Sequence, residues 1–336
     1  MSVKTWTARA GSFSSAQNWS LPSVPVAGDS LYVQSGTVMM AGQTFGSDSV
    51  RSTIGLIGET NAKPPTLVLW NETLDKVDIS NAPISYAGPA NQAPPDYYSG
   101  KHGTIIVRGQ VTNNGGVIEA GRNNRMPGSS LDVVLAQGAT LINKGALEAY
   151  PGSQLTISGN SGSKLENDAS ISAAGGKVTI SAHLTGTGDV YDNNAGAGLS
   201  SSVEIDAMVD AGQTFHVSRA SLQIDQPLSF LGQIASDPTG PGGLIGLNGL
   251  DAASWDVNKN SLEFLNAAGS VIDTLRFTLP QDATTLDAAM LRVYVAPDAT
   301  HGQDVTVLTG RSPGLPPNAT VLPYHYPLDH SVMASR

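Results

Sequence analysis

Three nine-residue segments of the chain repeat one pattern: TNNGGVIEA (112–120), LINKGALEA (141–149) and LENDASISA (165–173). In this alignment Asn114, Asn143 and Asn167 coincide, and aliphatic residues follow four positions later at Ile118, Leu147 and Ile171. A fourth copy, LTGTGDVYD (184–192), has Gly186 at the asparagine position. Units of about 20–30 residues cannot each enclose a core, so neighbouring units must stack. The repeat therefore predicts a solenoid.

Short strands fill the rest of each unit. Segments such as TIIVRG (104–109) and KVTISA (177–182) alternate apolar and polar residues between turn-forming residues, which is typical of strands with one buried face. Only DATTLDAAMLR (282–292) has helical spacing. The predicted fold class is all-β: a single-stranded right-handed parallel β-helix with an N-terminal cap and longer C-terminal β coils.

The aligned asparagines have two interpretations. Equivalent side chains on successive coils lie about 4.8 Å apart, so Asn114, Asn143 and Asn167 are predicted to form a structural ladder of amide hydrogen bonds. Alternatively, each is an ordinary turn residue that tolerates a left-handed backbone.

Composition excludes several classes of protein. The 336 residues include no cysteine, 14% are charged, and the net charge is −10, so neither disulfides nor thiolate metal sites can form. An acidic chain lacks the basic surface that nucleic acids require, so no nucleic-acid partner is expected. No apolar run approaches the ~18 residues of a membrane span, and no membrane insertion is expected.

The organisation of the chain is predicted from changes in pattern. The expected parts are an N-terminal cap (1–45), irregular first coils with Pro-rich insertions (46–103), the regular β-solenoid (104–235), C-terminal β coils (236–310) and a tail (311–336). Trp6 and Trp19 are expected to cover the first coil, because the open strand edges at a solenoid end must be covered. The tail is expected to be either disordered or strapped along the solenoid by Tyr324 and Tyr326.

The repeats resemble those of bacterial β-helical passenger domains, as in autotransporters and large adhesins. The opening segment (4–36) is similar to the start of unsignalled or type I-exported bacterial β-solenoid proteins, with matches at Trp6, Asn18, Trp19, Pro25, Gly28 and Asp29. Residues 222–277 resemble the closing coils of those proteins, although the usual Asp of a calcium site is missing there. The resemblance implies a protein of the bacterial cell surface or exterior, exported without a cleavable signal peptide in this chain.

Two carboxylates are the best candidates for catalysis. Glu119 and Glu148 share one repeat position on adjacent coils, and their predicted separation of roughly 5 Å is compatible with acid/base work on a glycosidic bond. Arg122 and Lys101 are the cations expected nearby if the protein is an enzyme. The alternative is a solvated outer face whose charges contribute little.

Two further groups are candidates for binding. Asp96, Tyr97 and Tyr98 lie on the longest insertion, where exposed aromatic rings would bind sugar faces; alternatively the loop folds over and buries both rings. Asp189 and Asp192 could bind calcium with backbone oxygens, but an ordinary Gly/Asp/Asn turn is the favoured explanation. No other cofactor is expected.

Two functional hypotheses follow. The first is a non-enzymatic, extracellular structural or adhesive β-solenoid that presents a rigid flank to a polysaccharide, to a cell-surface glycan or to other copies of itself. The second is a β-helical polysaccharide depolymerase, either a lyase or a glycoside hydrolase. Such an enzyme could be a component of a phage tail. The discriminating observation is whether Glu119, Glu148, Arg122 and Lys101 converge in one cleft.

Overall fold

The computed structural model describes residues 2–47, 49–57, 64–81, 101–121, 128–193, 201–218, 220–235, 243–278, 291–298, 302–309 and 320–324. Within these ranges the chain forms strands and two 3-10 turns, Ala16–Asn18 and Pro227–Ser229, and no α-helix. The segment with helical spacing lies largely outside the described residues; its last two residues, Leu291 and Arg292, begin a strand.

The strands form three sheets. In spatial order, the first sheet contains β1 (Val3–Thr5), β3 (Ser30–Val33), β6 (Ser52–Leu56), β9 (Val77–Ser80), β12 (Val117–Ala120), β15 (Ala146–Ala149), β18 (Ser170–Ala174), β21 (Asp189–Asn193), β23 (Thr214–Ser218), β25 (Gln233–Ala235), β29 (Val271–Thr278), β28 (Ser261–Leu265) and β27 (Ser254–Asn258). The second sheet contains, in the same sense, β2 (Ala10–Ser12), β4 (Thr37–Ala41), β7 (Thr66–Trp70), β10 (His102–Arg108), β13 (Ser130–Leu135), β16 (Gln154–Gly159), β19 (Lys177–Ile180), β22 (Ser202–Ile205), β24 (Ser221–Ile224), β26 (Leu244–Leu247), β31 (Gly302–Thr309), β30 (Leu291–Asp298) and β32 (Thr320–Val321). The third sheet contains β20 (His183–Thr185), β17 (Lys164–Asn167), β14 (Thr140–Asn143), β11 (Gln110–Asn114), β8 (Thr73–Asp75) and β5 (Thr44–Gly46).

The chain visits the three sheets in turn, and each circuit makes one coil. The coil β12–β13–β14, for example, is followed by β15–β16–β17, and each strand pairs in parallel with its equivalent one coil later. The order of strands in each sheet follows the order of coils along the chain until the last strands. The molecule is therefore a parallel β-helix, and the predicted all-β solenoid is confirmed.

Inward-facing side chains form columns along the axis of the stack. Ile118, Leu147 and Ile171 lie directly opposite one another in the first sheet and are at most 1% exposed, as the repeat predicts. Val133 and Ile157 continue the same arrangement in the second sheet. Because a parallel in-register sheet places equivalent residues over each other, a repeated aliphatic residue generates a continuous core.

The N-terminal end of the stack carries an aromatic cluster and a buried ion pair. Trp19 contacts Trp6 and Phe13 edge to face, with ring centroids 5.2 and 5.5 Å apart. The Lys4 ammonium lies 3.1 Å from the Asp29 carboxylate, and both side chains are buried. Burial would raise the pKa of Asp29, but hydrogen bonds from Ser2, the Val26 amide and Lys4 lower it to about 2. Lys4 lies in register with Leu31, so its side chain occupies the end of a column that aliphatic residues fill further along.

The C-terminal end departs from the parallel pattern. Strands β27, β28 and β29 form an antiparallel meander on the first sheet, and β31, β30 and β32 do so on the second. The segment that follows β32 returns to β27: Trp255 Nε1 donates to the Leu322 carbonyl at 3.0 Å, and the Trp255 and Tyr324 rings lie 4.7 Å apart. These contacts join the last strands of the two long sheets.

The asparagine ladder exists, but it begins at Asn113 and not at the predicted Asn114. Asn113 lies opposite Asn143, and Asn143 lies opposite Asn167. The turn after Asn113 holds one residue more than the turn after Asn143, so the ungapped sequence alignment is displaced by one position. Asn114 instead donates to the Asp75 carboxylate at 2.7 Å.

Side-chain amides from four residues link the ladder across five coils. Asn113 Nδ2 donates to Asn143 Oδ1 at 2.9 Å, and Asn143 Nδ2 donates to Asn167 Oδ1 at the same distance. Asn167 then donates to Gln213 Oε1 at 3.0 Å. Gly186 occupies the ladder position of the intervening coil, where a Cβ would lie only 2.5 Å from the Asn167 carbonyl oxygen. Gln213 therefore reaches past the glycine and ends the ladder.

Replacing the central amide should destabilise the fold far more than replacing the asparagine that the sequence repeat aligns with it. Asn143→Ala removes two amide–amide bonds and leaves buried polar atoms of Asn113 and Asn167 unpaired, which should cost about 2–5 kcal/mol. Asn114→Ala removes one partly exposed bond and should cost about 1 kcal/mol or less. Urea unfolding followed by circular dichroism measures both; an equal or larger loss for Asn114→Ala would contradict the observed register.

Candidate functional site

Several predicted site residues lie outside the described part of the chain. They are Asp96, Tyr97, Tyr98 and Arg122. Their proposed sugar-binding and charge-neutralising roles remain predictions.

The predicted carboxylate pair is brought together. Glu119 and Glu148 lie opposite each other on β12 and β15, at the inter-strand spacing of about 4.8 Å. Glu148 is half-buried and accepts a hydrogen bond from the Tyr150 hydroxyl at 2.8 Å, whereas Glu119 is only 6% exposed. The alternative of two freely solvated surface carboxylates is therefore wrong for Glu119.

Lys101 lies at a corner that hydrogen bonds tie to the end of β12. Its carbonyl accepts from Asn81 Nδ2 at 3.0 Å, and Asn81 Oδ1 accepts from the Gly121 amide at 2.8 Å. Lys101 itself is 5% exposed. The structure thus places Lys101 one corner away from Glu119, with the fully buried Asn81 side chain between their backbone segments.

The two candidate calcium ligands do not converge. Asp189 faces outward and accepts from His216 Nε2 at 2.8 Å, and the His216 ring stacks on Tyr191 with centroids 4.5 Å apart. Asp192 faces inward and is 1% exposed. Residues three apart in a strand lie on opposite faces, so these carboxylates share no ligand. Among the described residues, no group of three or more His, Asp or Glu side chains forms a metal-binding cluster.

Two carboxyl groups are buried in the core. Glu72 is 2% exposed and directly precedes β8, and its Oε1 accepts only a long 3.4 Å bond from the backbone amide of Gln43. Asp192 lies between Ala173 and Val217 and accepts from the Ser201 hydroxyl at 2.8 Å. Burial raises the pKa of each group to about 7, despite these bonds and the amides of Ser221 and Val203 near Asp192.

The second sheet carries an apolar stripe on its outer face. Met39, Val68, Ile106 and Val134 lie in register on consecutive strands and point away from the core. Met39 is 41% exposed, Ile106 and Val134 are half-buried, and Val68 is only 6% exposed. At about 4.8 Å per strand, the stripe spans about 14 Å. Beyond β13 the row turns polar with Ser158.

An exposed tryptophan and an arginine lie beside the apolar stripe. Trp70 is 47% exposed and stands in register with Arg108 on the adjacent strand. The neighbour of Trp70 on the preceding strand is the small residue Ala41, and β13 ends at Leu135 before a residue that would face Arg108. Arg108 is exposed and makes no side-chain hydrogen bond or ion pair with any described residue.

A row of hydroxyl groups borders the other side of the apolar stripe. The threonine row consists of Thr37, Thr66, Thr104, Thr156 and Thr179, with Asp132 interrupting it between Thr104 and Thr156. All five threonines are half-buried. The face therefore combines an aromatic ring, an apolar strip and evenly spaced hydroxyls, which together can bind a ligand that has both C–H and O–H surfaces.

The sequence contains a pattern that indicates this apolar outer face, although a search for period-two alternation alone does not find it. TVMMA (37–41) and TLVLW (66–70) carry apolar residues on both faces of the strand, whereas QLTISG (154–159) keeps its outer positions polar. An apolar residue at an outward position of a coil needs an explanation other than the core.

A second exposed apolar cluster lies near the C-terminal end. Leu228, Leu231 and Val271 are 71%, 48% and 50% exposed and line a cavity of about 220 Å³ with Asp273 and Arg276. Burial raises the pKa of Asp273. This cluster has no exposed aromatic ring, and it provides a matched comparison for Trp70.

The three sheets define the chain as a parallel β-helix, a class of solenoid that serves many purposes. A scan against protein-family models found no match to this sequence. A search of curated proteins found no relative either. Among the described residues, no helix is long and apolar enough to cross a membrane. The geometry of the outer face therefore carries the functional argument.

The two core carboxyls should make stability depend on pH. A raised pKa in the folded state means that folding favours the protonated form, so this stability is full below pH ~4 and is lost as the pH rises through about 7. The loss should be on the order of 3 kcal/mol for each carboxyl. Urea unfolding at pH 5 and pH 8 measures it.

The double variant Glu72→Gln/Asp192→Asn should remove most of the pH dependence, because neither amide titrates. Glu166→Gln, on the outer face of the third sheet, is the matched control and should keep the wild-type profile. A double variant with the same profile as wild type would show that these carboxyls are not the titrating groups.

Proposed function

We propose that the protein is a non-catalytic β-solenoid of the bacterial cell exterior that binds polysaccharide on the outer face of its second sheet. The observation that carries the proposal is Trp70, a large aromatic ring left 47% exposed between the apolar stripe and Arg108. Exposure of such a ring on a rigid sheet costs hydrophobic free energy that a ligand would recover on binding.

Carbohydrate suits this face better than a purely apolar partner. A pyranose ring has C–H faces that stack on tryptophan and hydroxyls at its edges that exchange hydrogen bonds. Trp70 supplies the stacking surface, with Met39 and the half-buried Ile106 as the accessible apolar neighbours, and Thr66 and Thr104 lie in register two residues before Val68 and Ile106. Parallel pairing fixes all of these positions before the ligand arrives, which limits the entropy lost on binding.

The ends of the stack favour a glycan over end-to-end self-association. At the N-terminal end the Ser20 amide donates to the Thr5 carbonyl, and Asn18 Nδ2 donates to the Ser12 carbonyl, so the edges of β1 and β2 already have partners. At the C-terminal end the Trp255 amide bonds to the Pro323 carbonyl, so the last strand of the first sheet also has a partner. Strand edges with partners offer less backbone for adding another copy.

Removal of the exposed ring should strongly weaken binding without unfolding the protein. Trp70→Ala should weaken affinity for the bound polysaccharide at least tenfold, because it removes the stacking surface, and should cost about 1–2 kcal/mol of stability, because about half of the side chain is buried. Leu228→Ala, at a still more exposed apolar position, should bind like wild type. Affinity electrophoresis against a panel of neutral and acidic polysaccharides measures both; binding that survives Trp70→Ala would refute the site.

A depolymerase remains the second candidate because Glu119 and Glu148 stand in register with one of them buried. Their strand spacing is close to the ~5–5.5 Å between the carboxyl groups of retaining glycosidases. We expect no turnover. Incubation with the same panel, followed by assays for new reducing ends and for ultraviolet absorbance of unsaturated products, tests this.

Sustained product release that is abolished by Glu119→Gln or Glu148→Gln, and unaffected by Glu166→Gln, would establish the enzyme and exclude the non-catalytic proposal. Release unaffected by all three substitutions would indicate a contaminating activity.

A further inference from the structure

We infer that the face around Trp70 selects acidic polysaccharides, with the carboxylate of a uronate residue paired to Arg108 while a neighbouring sugar ring stacks on Trp70. This inference rests on the proposed function and specifies its ligand class. The observation behind it is the direct register of the ring and the guanidinium on β7 and β10.

Arg108 is available for such a pair. Its side chain is exposed and has no hydrogen-bonding or ionic partner among the described residues. By contrast, Arg51 and Lys177 on other parts of the coils are paired to Asp78 and Glu204. A guanidinium presents two parallel N–H donors that match a carboxylate, which makes Arg108 a recognition group for a planar anion.

Strand pairing places Trp70 and Arg108 close enough together for neighbouring sugars of one polysaccharide chain to contact both. Trp70 and Arg108 are 38 positions apart in sequence, yet they occupy equivalent places on neighbouring strands about 4.8 Å apart. Ala41 on the preceding strand adds no bulk beside Trp70. A chain lying across the strands can therefore contact the ring with one residue and the guanidinium with the next.

The net charge of −10 opposes any polyanion at long range. At about 0.15 M salt the Debye length is about 8 Å, so charges elsewhere on the molecule are largely screened while a contact pair at Arg108 is not. Selectivity for an acidic chain should therefore come from Arg108 itself, and it should not follow the overall charge of the protein.

The test compares sodium polygalacturonate with its fully methyl-esterified form, which has the same backbone without the charge. Full-length protein at about 0.15 M salt should bind the acid at least tenfold more tightly than the ester, measured by titration calorimetry. Arg108→Gln should bring acid and ester to equal affinity, and Trp70→Ala should weaken both. Lys164→Gln, which removes an exposed cation on the third sheet, should leave the preference for the acid intact.

Each contrary outcome is distinguishable. Equal wild-type affinity for acid and ester, with both lost in Trp70→Ala, would overturn the acidic ligand and leave the polysaccharide-binding site standing. If Lys164→Gln lost the preference for the acid as Arg108→Gln does, the preference would reflect general electrostatic attraction. That outcome would overturn the specific role of Arg108. Equal affinity for polygalacturonate and dextran sulfate would overturn recognition of the carboxylate. Failure of the wild type to bind polygalacturonate, alginate or any neutral polymer would overturn both proposals.

Discussion

Parallel pairing of equivalent strands, coil upon coil, is the constraint on which the rest of this molecule depends. Each backbone in the stack hydrogen-bonds to the coil before and the coil after, so a residue must tolerate its equivalents directly above and below at about 4.8 Å. Aliphatic residues satisfy this condition by van der Waals contact, as Ile118, Leu147 and Ile171 do. Asn113, Asn143 and Asn167 satisfy it with amide hydrogen bonds, because an amide is both donor and acceptor and can bond in both directions.

Carboxylates fit this constraint poorly, and their positions are informative for that reason. A carboxylate only accepts hydrogen bonds, so it cannot continue a ladder, and stacked carboxylates repel. Glu72 and Asp192 accommodate their buried positions through a raised pKa, which favours their protonated forms up to near neutral pH. At the N-terminal end Asp29 is buried beside the Lys4 ammonium, and hydrogen bonds from Ser2, the Val26 amide and Lys4 lower its pKa. Folding is therefore favoured by the charged form of Asp29 and by the protonated forms of Glu72 and Asp192.

The same stacking fixes the positions of the outer-face side chains on which the proposal of polysaccharide binding rests. A row of side chains at constant spacing on a stiff sheet forms a surface whose geometry hardly changes on binding, which suits recognition of a polymer better than enclosure of a small molecule. Trp70 and Arg108 gain their significance from this register, since each alone would be an ordinary surface residue. The hydroxyls of the threonine row are placed by the same rule.

The sequence alone determined the class of fold and the composition of its core, because both depend on local periodicity. The repeat around Asn143 predicts stacked coils, the aliphatic column through Leu147, and the pairing of Glu119 with Glu148. The calcium pair Asp189 and Asp192 was a wrong grouping, because residues three apart in a strand face opposite ways. Tertiary structure decided what depends on the lengths of turns and on neighbours distant in sequence. One extra residue in a turn moved the ladder from Asn114 to Asn113, and burial of Glu119 follows from surroundings that no local pattern encodes. Trp70 and Arg108 meet only because one full coil brings the chain back to the same sheet, and a register between strands is set by the packing of the whole stack.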